Sequence, residues 1–231
     1  MIQSKLWPSF PGGQSDARYG SDGMFAMAEG AKNTRVPTGC LGKLVKLDRL
    51  EIATFNCRSL SNEARLQELE EELKFIKWDI IGLSEVRRKD EGMLELKSGH
   101  SFYFKGNKTG QNGGVGFLVN KRLKNNILEV EGVSDRLAKI EIKLSKRYNV
   151  QIIQVYAPTS SHTDDEIEEF YEEVQKLHDK GNAHYKIVMG DFNAKIGTQK
   201  ADDKVVGNFG YGERNERGDT LVEFAETITC L

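Results

Sequence analysis

Residues 50–85 read LEIATFNCRSLSNEARLQELEEELKFIKWDIIGLSE, and the hydrophobic period changes twice within them. Leu50 to Asn56 is a short apolar stretch and predicts a strand. Over 62–77, Leu66, Leu69, Leu73 and Ile76 recur at helical spacing, which predicts an amphipathic helix. Ser61 or Asn62 can cap it, and acidic residues in its first turn suit the helix dipole. Ile80 to Ser84 is a continuous apolar run of strand length. Strand, helix and strand in this order make a βαβ unit.

Outward from this unit the pattern stays regular. Residues 101–105 and 115–120 predict a hairpin, with Gly110, Asn112, Gly113 and Gly114 in its turn. Over 137–144, Ala138, Ile140, Ile142 and Leu144 alternate with Lys139, Glu141 and Lys143, the pattern of a half-buried strand. Residues 150–156 predict a more apolar strand. A second helix is expected over 164–179, with Thr163 and Glu166 as a capping box and Ile167, Phe170, Val174 and Leu177 inward. A strand then ends at Asp191, and 219–228 predict a third helix with Leu221, Ala225 and Ile228 inward. Hairpins mixed with βα units predict an α/β protein with two packed mixed sheets and helices on the outer faces. Residues 1–49 hold three of the four prolines and no hydrophobic period, and are expected to be a disordered leader to a domain over 50–231.

Composition narrows the class. The chain has 231 residues, 38% of them hydrophobic and 29% charged, with a net charge of −2. It contains no apolar run long enough to span a membrane and no secretory leader pattern. Cys40, Cys57 and Cys230 are widely spaced and odd in number, which argues against a disulfide framework or a structural zinc site and for a reducing, intracellular compartment. Residues 164–173 carry seven acidic side chains, whereas Arg87-Arg88-Lys89, Lys121-Arg122, Lys146-Arg147, Arg214 and Arg217 lie in or near expected loops. Either this is an ordinary solvated surface, or the loops meet a polyanion while the acidic helix faces away.

Four strands end in a polar residue directly after an apolar run. Asn56 follows Ile52–Phe55, Glu85 follows Ile80–Ser84, Tyr156 follows Ile152–Val155, and Asp191 follows Ile187–Gly190 with Asn193 two residues on. Taken singly, Asn56 reads as a turn residue and Tyr156 as a wall of the core. Together, on one rim, they make two carboxylates, two carboxamides and a phenol. Glu85 is a hard oxygen ligand of the kind Mg²⁺ prefers. Asp191 can activate a water, Asn193 and Tyr156 can donate to a developing phosphorane, and Asn56 can hold the metal or a carboxylate in place. His100, His162, His178 and His184 show no metal-ligand spacing, and most of them are expected in loops or at the surface. No HExxH, GxSxG, Walker or GxGxxG pattern occurs.

At these residues the chain resembles the endonuclease/exonuclease/phosphatase superfamily. The matching segments are ATFNCRSL (53–60), IIGLSEVR (80–87), GGVGFLV (113–119), VYAPT (155–159) and GDFNA (190–194), all in family order. The phrase RNERGDTLVEFA (214–225) is similar to the endonuclease domains of RTE-type non-LTR retrotransposons and of host proteins that carry such a domain. The resemblance implies a four-layer α/β sandwich and Mg²⁺-dependent cleavage of DNA, with Mn²⁺ as an alternative ion. It implies that Glu85 binds the metal and Asn56 supports it. Tyr156 would contact the scissile phosphate, Asp191 would orient or deprotonate the water, and Asn193 would help hold the phosphate. Asn215 matches a polar loop residue near the substrate. DNA as partner implies nuclear rather than cytoplasmic residence.

One part of the family pattern is without a match. Members close with a further strand pair bearing an aspartate and then a Ser-Asp-His motif, and no Asp-His pair occurs here. No catalytic histidine is therefore assigned. The expectation is a sandwich missing its last strands, with impaired cleavage. The alternative is a non-enzymatic remnant that binds nucleic acid or protein. A lipid or small-molecule phosphatase is a third reading, which the RTE-like phrases disfavour.

Overall fold

The computed structural model describes residues 24–30 by their backbone and residues 49–229 in full. In chain order the elements are β1 (Met24–Gly30), β2 (Ile52–Asn56), α1 (Glu63–Leu73), β3 (Ile80–Ser84), β4 (Glu91–Glu95), β5 (Ser101–Lys105), β6 (Val115–Val119), β7 (Ile127–Ser134), β8 (Leu137–Lys143), β9 (Asn149–Tyr156), α2 (Asp164–Lys180), β10 (Tyr185–Asp191) and α3 (Glu216–Thr229). The strands form two sheets, ordered β2-β3-β6-β5-β4 and β1-β10-β9-β8-β7. Both are mixed. β2 runs parallel to β3, and β9 parallel to β10, while the other neighbours are antiparallel.

Strands buried on both faces explain the layering. Ile80 points between the sheets and Ile81 points outward, and both are fully buried; Ile152 and Ile153 repeat this in the other sheet. The space between the sheets is filled by Ile80, Tyr103, Val115 and Phe117 from one side and Ala138, Ile140, Ile142 and Ile152 from the other. Leu66, Leu69 and Leu73 of α1 cover the outer face of the first sheet, against Ile81, Leu83 and Phe102. Phe170 and Val174 of α2, with Leu221 and Phe224 of α3, cover the outer face of the second, against Ile153 and Val188. The order is helix, sheet, sheet, helices. Each such core side chain is worth about 1.5–3 kcal/mol relative to exposure.

The caps behave as their chemistry dictates. Asn62 caps α1 by accepting from Arg65 N, and Thr163 and Glu166 close a reciprocal capping box on α2. Several expectations need correction. Strand 137–143 is not half-buried: β8 lies inside its sheet, and Lys139 is 4% exposed, paired with Glu129 and Glu131 of β7. β4 and β7 carry no clean alternation and were not expected as strands. His178 is buried on α2 rather than placed in a loop. α1 stops at Leu73, and α3 starts at Glu216, earlier than the hydrophobic stripe suggests. Most of the expected leader lies outside the described residues. Within it, Met24–Gly30 pairs antiparallel with β10 at the sheet edge.

Candidate active site

The two parallel strand pairs, one per sheet, end on the same rim. Asn56 lies in register with Ser84, the residue before Glu85, and Asp191 lies in register with Tyr156. The sandwich brings these two ends together. Asn56 Nδ2 donates to Glu85 Oε1 at 2.9 Å and to Asp191 Oδ2 at 2.8 Å. One carboxamide thus uses both of its N–H groups to hold two carboxylates from opposite sheets. Asn56 Oδ1 accepts from Arg58 N at 3.1 Å, which fixes the amide's orientation.

The backbone around each carboxylate is tightly determined. Glu85 has φ +56° and Arg87 φ +52°, a left-handed conformation that costs non-glycine residues about 1–3 kcal/mol each. Neighbouring bonds hold it: Cys57 N to Ser84 O at 3.0 Å, Val86 N to Gly114 O at 3.1 Å and Arg87 N to Gly113 O at 3.0 Å. The turn after β3 thereby aims Glu85 at Asn56. Gly190, before Asp191, has φ +147°, and a Cβ there would stand 2.1 Å from Val155 O. The glycine lets β10 approach β9 closely enough to set Asp191 beside Tyr156.

Asn193 also adopts a left-handed conformation, at φ +49°. Its backbone N–H donates to Asp191 Oδ1 at 3.1 Å, and its Nδ2 donates to Ala157 O at 2.7 Å. It therefore orients Asp191 and ties the loop after β10 to the loop after β9. Asn215 Oδ1 accepts from Lys195 N and Gly218 N, both at 2.9 Å, capping α3 and closing the 195–215 loop.

Charge around the rim is divided. Glu85 Oε2 is paired with Arg87 Nη2 at 2.7 Å. The Arg136 guanidinium lies 5.5 Å from the Tyr156 ring centre and 3.1 Å from His162 Nε2. Nε2 of His162 faces the Arg136 donor, and its Nδ1 accepts from Thr159 N at 3.1 Å. Burial, and then the Glu85 and Asp191 carboxylates, raise the Tyr156 phenol above its ordinary value, so it remains a proton donor at neutral pH. Burial pushes the Cys57 thiol up to about 12, and Cys57 Sγ donates to Ser84 O at 3.0 Å.

Beneath the rim lies a buried polar network that patterns of apolar runs do not reveal. Gln154 Nε2 donates to Ser84 Oγ at 2.9 Å, and Gln154 Oε1 accepts from Thr54 Oγ1 at 3.2 Å. Gln154 and Ser84 are fully buried. Gly82 makes room, since a Cβ there would stand 1.8 Å from Gln154 Oε1. This bridge fixes the spacing of the sheets directly below the carboxylates. The signal for it was a glutamine inside an apolar strand facing a glycine.

The family sequence profile described as "Endonuclease/Exonuclease/phosphatase family" matches residues 53–205. The chain belongs to this family. Craniofacial development protein 2 from Bos taurus is 37% identical over 175 residues, covering 75% of this chain and 29% of that protein. The protein of the same name from Tragulus javanicus is 36% identical over 175 residues, covering 75% of this chain and 30% of that protein. The chain thus spans about three tenths of the length of these curated relatives. Among solved structures, the AP endonuclease LMAP from Leishmania major superposes with a TM-score of 0.50 at 13% identity, over 77% of this chain and 66% of that one. That likeness shows the endonuclease/exonuclease/phosphatase fold, two mixed sheets between helices.

Proposed function

We propose that this chain is a divalent-metal-dependent phosphodiesterase acting on DNA, of the retrotransposon endonuclease type. The observation that carries it is the Asn56 carboxamide held between the Glu85 and Asp191 carboxylates, one from each sheet. The family comprises nucleases and phosphatases, and the AP endonuclease among the structural neighbours acts on nucleic acid.

The donor set fits Mg²⁺. That ion takes one or two carboxylates and keeps several waters, as the Glu85 and Asp191 carboxylates flanking Asn56 would allow. Glu85, supported by Asn56, would hold it. When bound, the ion supplies positive charge to the phosphate oxygens. The chain's own residues do the rest. Asp191, 9% exposed and oriented by Asn56 and Asn193, takes the proton of the attacking water as the new P–O bond forms; the leaving oxygen departs with the electron pair of the scissile bond and takes a proton from solvent. The Tyr156 phenol donates to a non-bridging oxygen as its charge grows. Arg136, beside Tyr156, places positive charge on the rim that receives the phosphate, while Arg87 is paired with Glu85. The reading carries the expectation of a nuclear site of action. No helix among the described residues is long and apolar enough to cross a membrane.

Supercoiled plasmid incubated with the protein and Mg²⁺ tests the proposal. Nicking should appear and vanish in Glu85→Ala and in Asp191→Ala. Wild-type protein that leaves the plasmid intact at every metal concentration refutes cleavage. Salt-dependent DNA retention without nicking would favour the binding alternative.

A further inference from the structure

The loop joining β10 to α3 is long, rigidly pinned and tipped with aromatic rings. Its ends are clamped in both directions, by Lys195 N to Asn215 Oδ1 at 2.9 Å and Asn215 N to Lys195 O at 3.1 Å. Further along, Arg214 Nε donates to Ile196 O at 2.8 Å, and the buried Arg214 guanidinium grips Asp203 through both of its Nη atoms. Thr198 N donates to Gly212 O at 3.1 Å. Gly210 lies against Gly197, where a Cβ would stand 1.7 Å from Gly197 O. The segment between these pins presents Phe209 at 93% and Tyr211 at 84% exposure. Single exposed apolar residues are ordinary, but two nearly bare rings one residue apart on a pre-ordered loop contribute nothing to the core. The loop leaves the rim at Lys195, two residues beyond Asn193, and it carries Lys204 and Lys200, whose ammonium lies 3.5 Å from Asp219 Oδ1.

We propose that Phe209 and Tyr211 form a base-stacking arm that grips unpaired bases of the DNA strand whose phosphate sits at the rim. The proposal rests on the phosphodiesterase reading and adds to it a preference for single-stranded or unstacked DNA. Rings accept any base because every base has a π-face, and a rigid loop has little freedom left to lose on binding. The flanking lysines supply backbone attraction without sequence preference.

The test is fluorescence anisotropy with a labelled DNA single strand of about 20 nucleotides, longer than a single stacking site, in EDTA so that nothing is cleaved. Phe209→Ala/Tyr211→Ala should weaken binding by on the order of tenfold or more. The slope of affinity against salt should not change, because no cation is removed. Phe209→Leu/Tyr211→Leu, which keeps apolar bulk but removes the rings, should be nearly as weak. All three proteins should melt alike, since both side chains are exposed. If the wild type binds and either double variant binds equally well, the stacking arm is refuted while the phosphodiesterase reading stands. If the wild type fails to bind the single strand, the arm is refuted, and plasmid nicking decides the phosphodiesterase reading on its own.

Discussion

At the scale of single residues, the site depends on groups that look unremarkable in isolation. Asn56 ends a strand as a turn residue might, yet its amide is the only donor that reaches both Glu85 and Asp191 among the bonds described for them. Tyr156 has the profile of a core aromatic, yet burial and the charges of Glu85 and Asp191 raise its phenol above the ordinary value. Tyr156→Phe should lower the nicking rate by about 10²–10³ if the phenol supports the transition state, in line with loss of one preorganised donor. An unchanged rate in single-turnover assays would remove Tyr156 from the mechanism. Gly190 is needed for a different reason. Gly190→Ala places a methyl against Val155 O and a side chain in a disfavoured conformation, so urea melts should show a loss of about 1–3 kcal/mol. Cleavage should fall further than stability does, because Asp191 is the next residue.

At the scale of elements, β8 shows how pairing overrides pattern. Its alternation predicts one wet face, but β8 lies between β7 and β9 in its sheet, and Lys139 is buried beside Glu129 and Glu131 of β7. Glu131 is also bound by Lys180 at the end of α2, so it ties strand to strand and strand to helix. Lys139 first and Lys180 next hold its carboxyl below the ordinary 4.5. A carboxyl lowered in the folded state contributes stability that is present above its unfolded pKa and lost as pH falls through the folded value. Wild-type protein should therefore lose melting temperature below about pH 4.5. Glu131→Gln should be less stable near neutrality and show a flatter decline over that window. Identical slopes for the two proteins in pH-dependent melts would show that this cluster does not drive acid unfolding.

At the scale of the whole molecule, the two sheets act as jaws whose spacing sets the site. Gln154, reaching into the space above Gly82, bonds Ser84 and Thr54 of the opposite sheet one layer below the carboxylates. Metal at the rim should therefore be read out as stability of the entire sandwich. Mg²⁺ raised to a hundredfold above its dissociation constant should add about 2.7 kcal/mol of stability. Glu85→Gln should abolish that gain without changing the metal-free melt by a comparable amount. Calorimetry without DNA checks this independently of cleavage, and an equal shift in the variant would place the metal away from Glu85.

The helices, most strands, the layered α/β class and the strand ends that carry polar groups follow from the order of residues alone. These are local matters of period, capping and run length, and all are readable along one dimension. The sequence also carried the family, through five short motifs in order. β4 and β7 escaped because edge strands with mixed polarity leave no period. Lys139 was misjudged because burial depends on which strand comes alongside. The pairing of Asn56 with residues 29 and 135 positions away was decided only by tertiary structure. The same holds for the Gln154 bridge. Both reach from one sheet to the other, and their separation is set by how the two sheets pack, a quantity that no local pattern encodes.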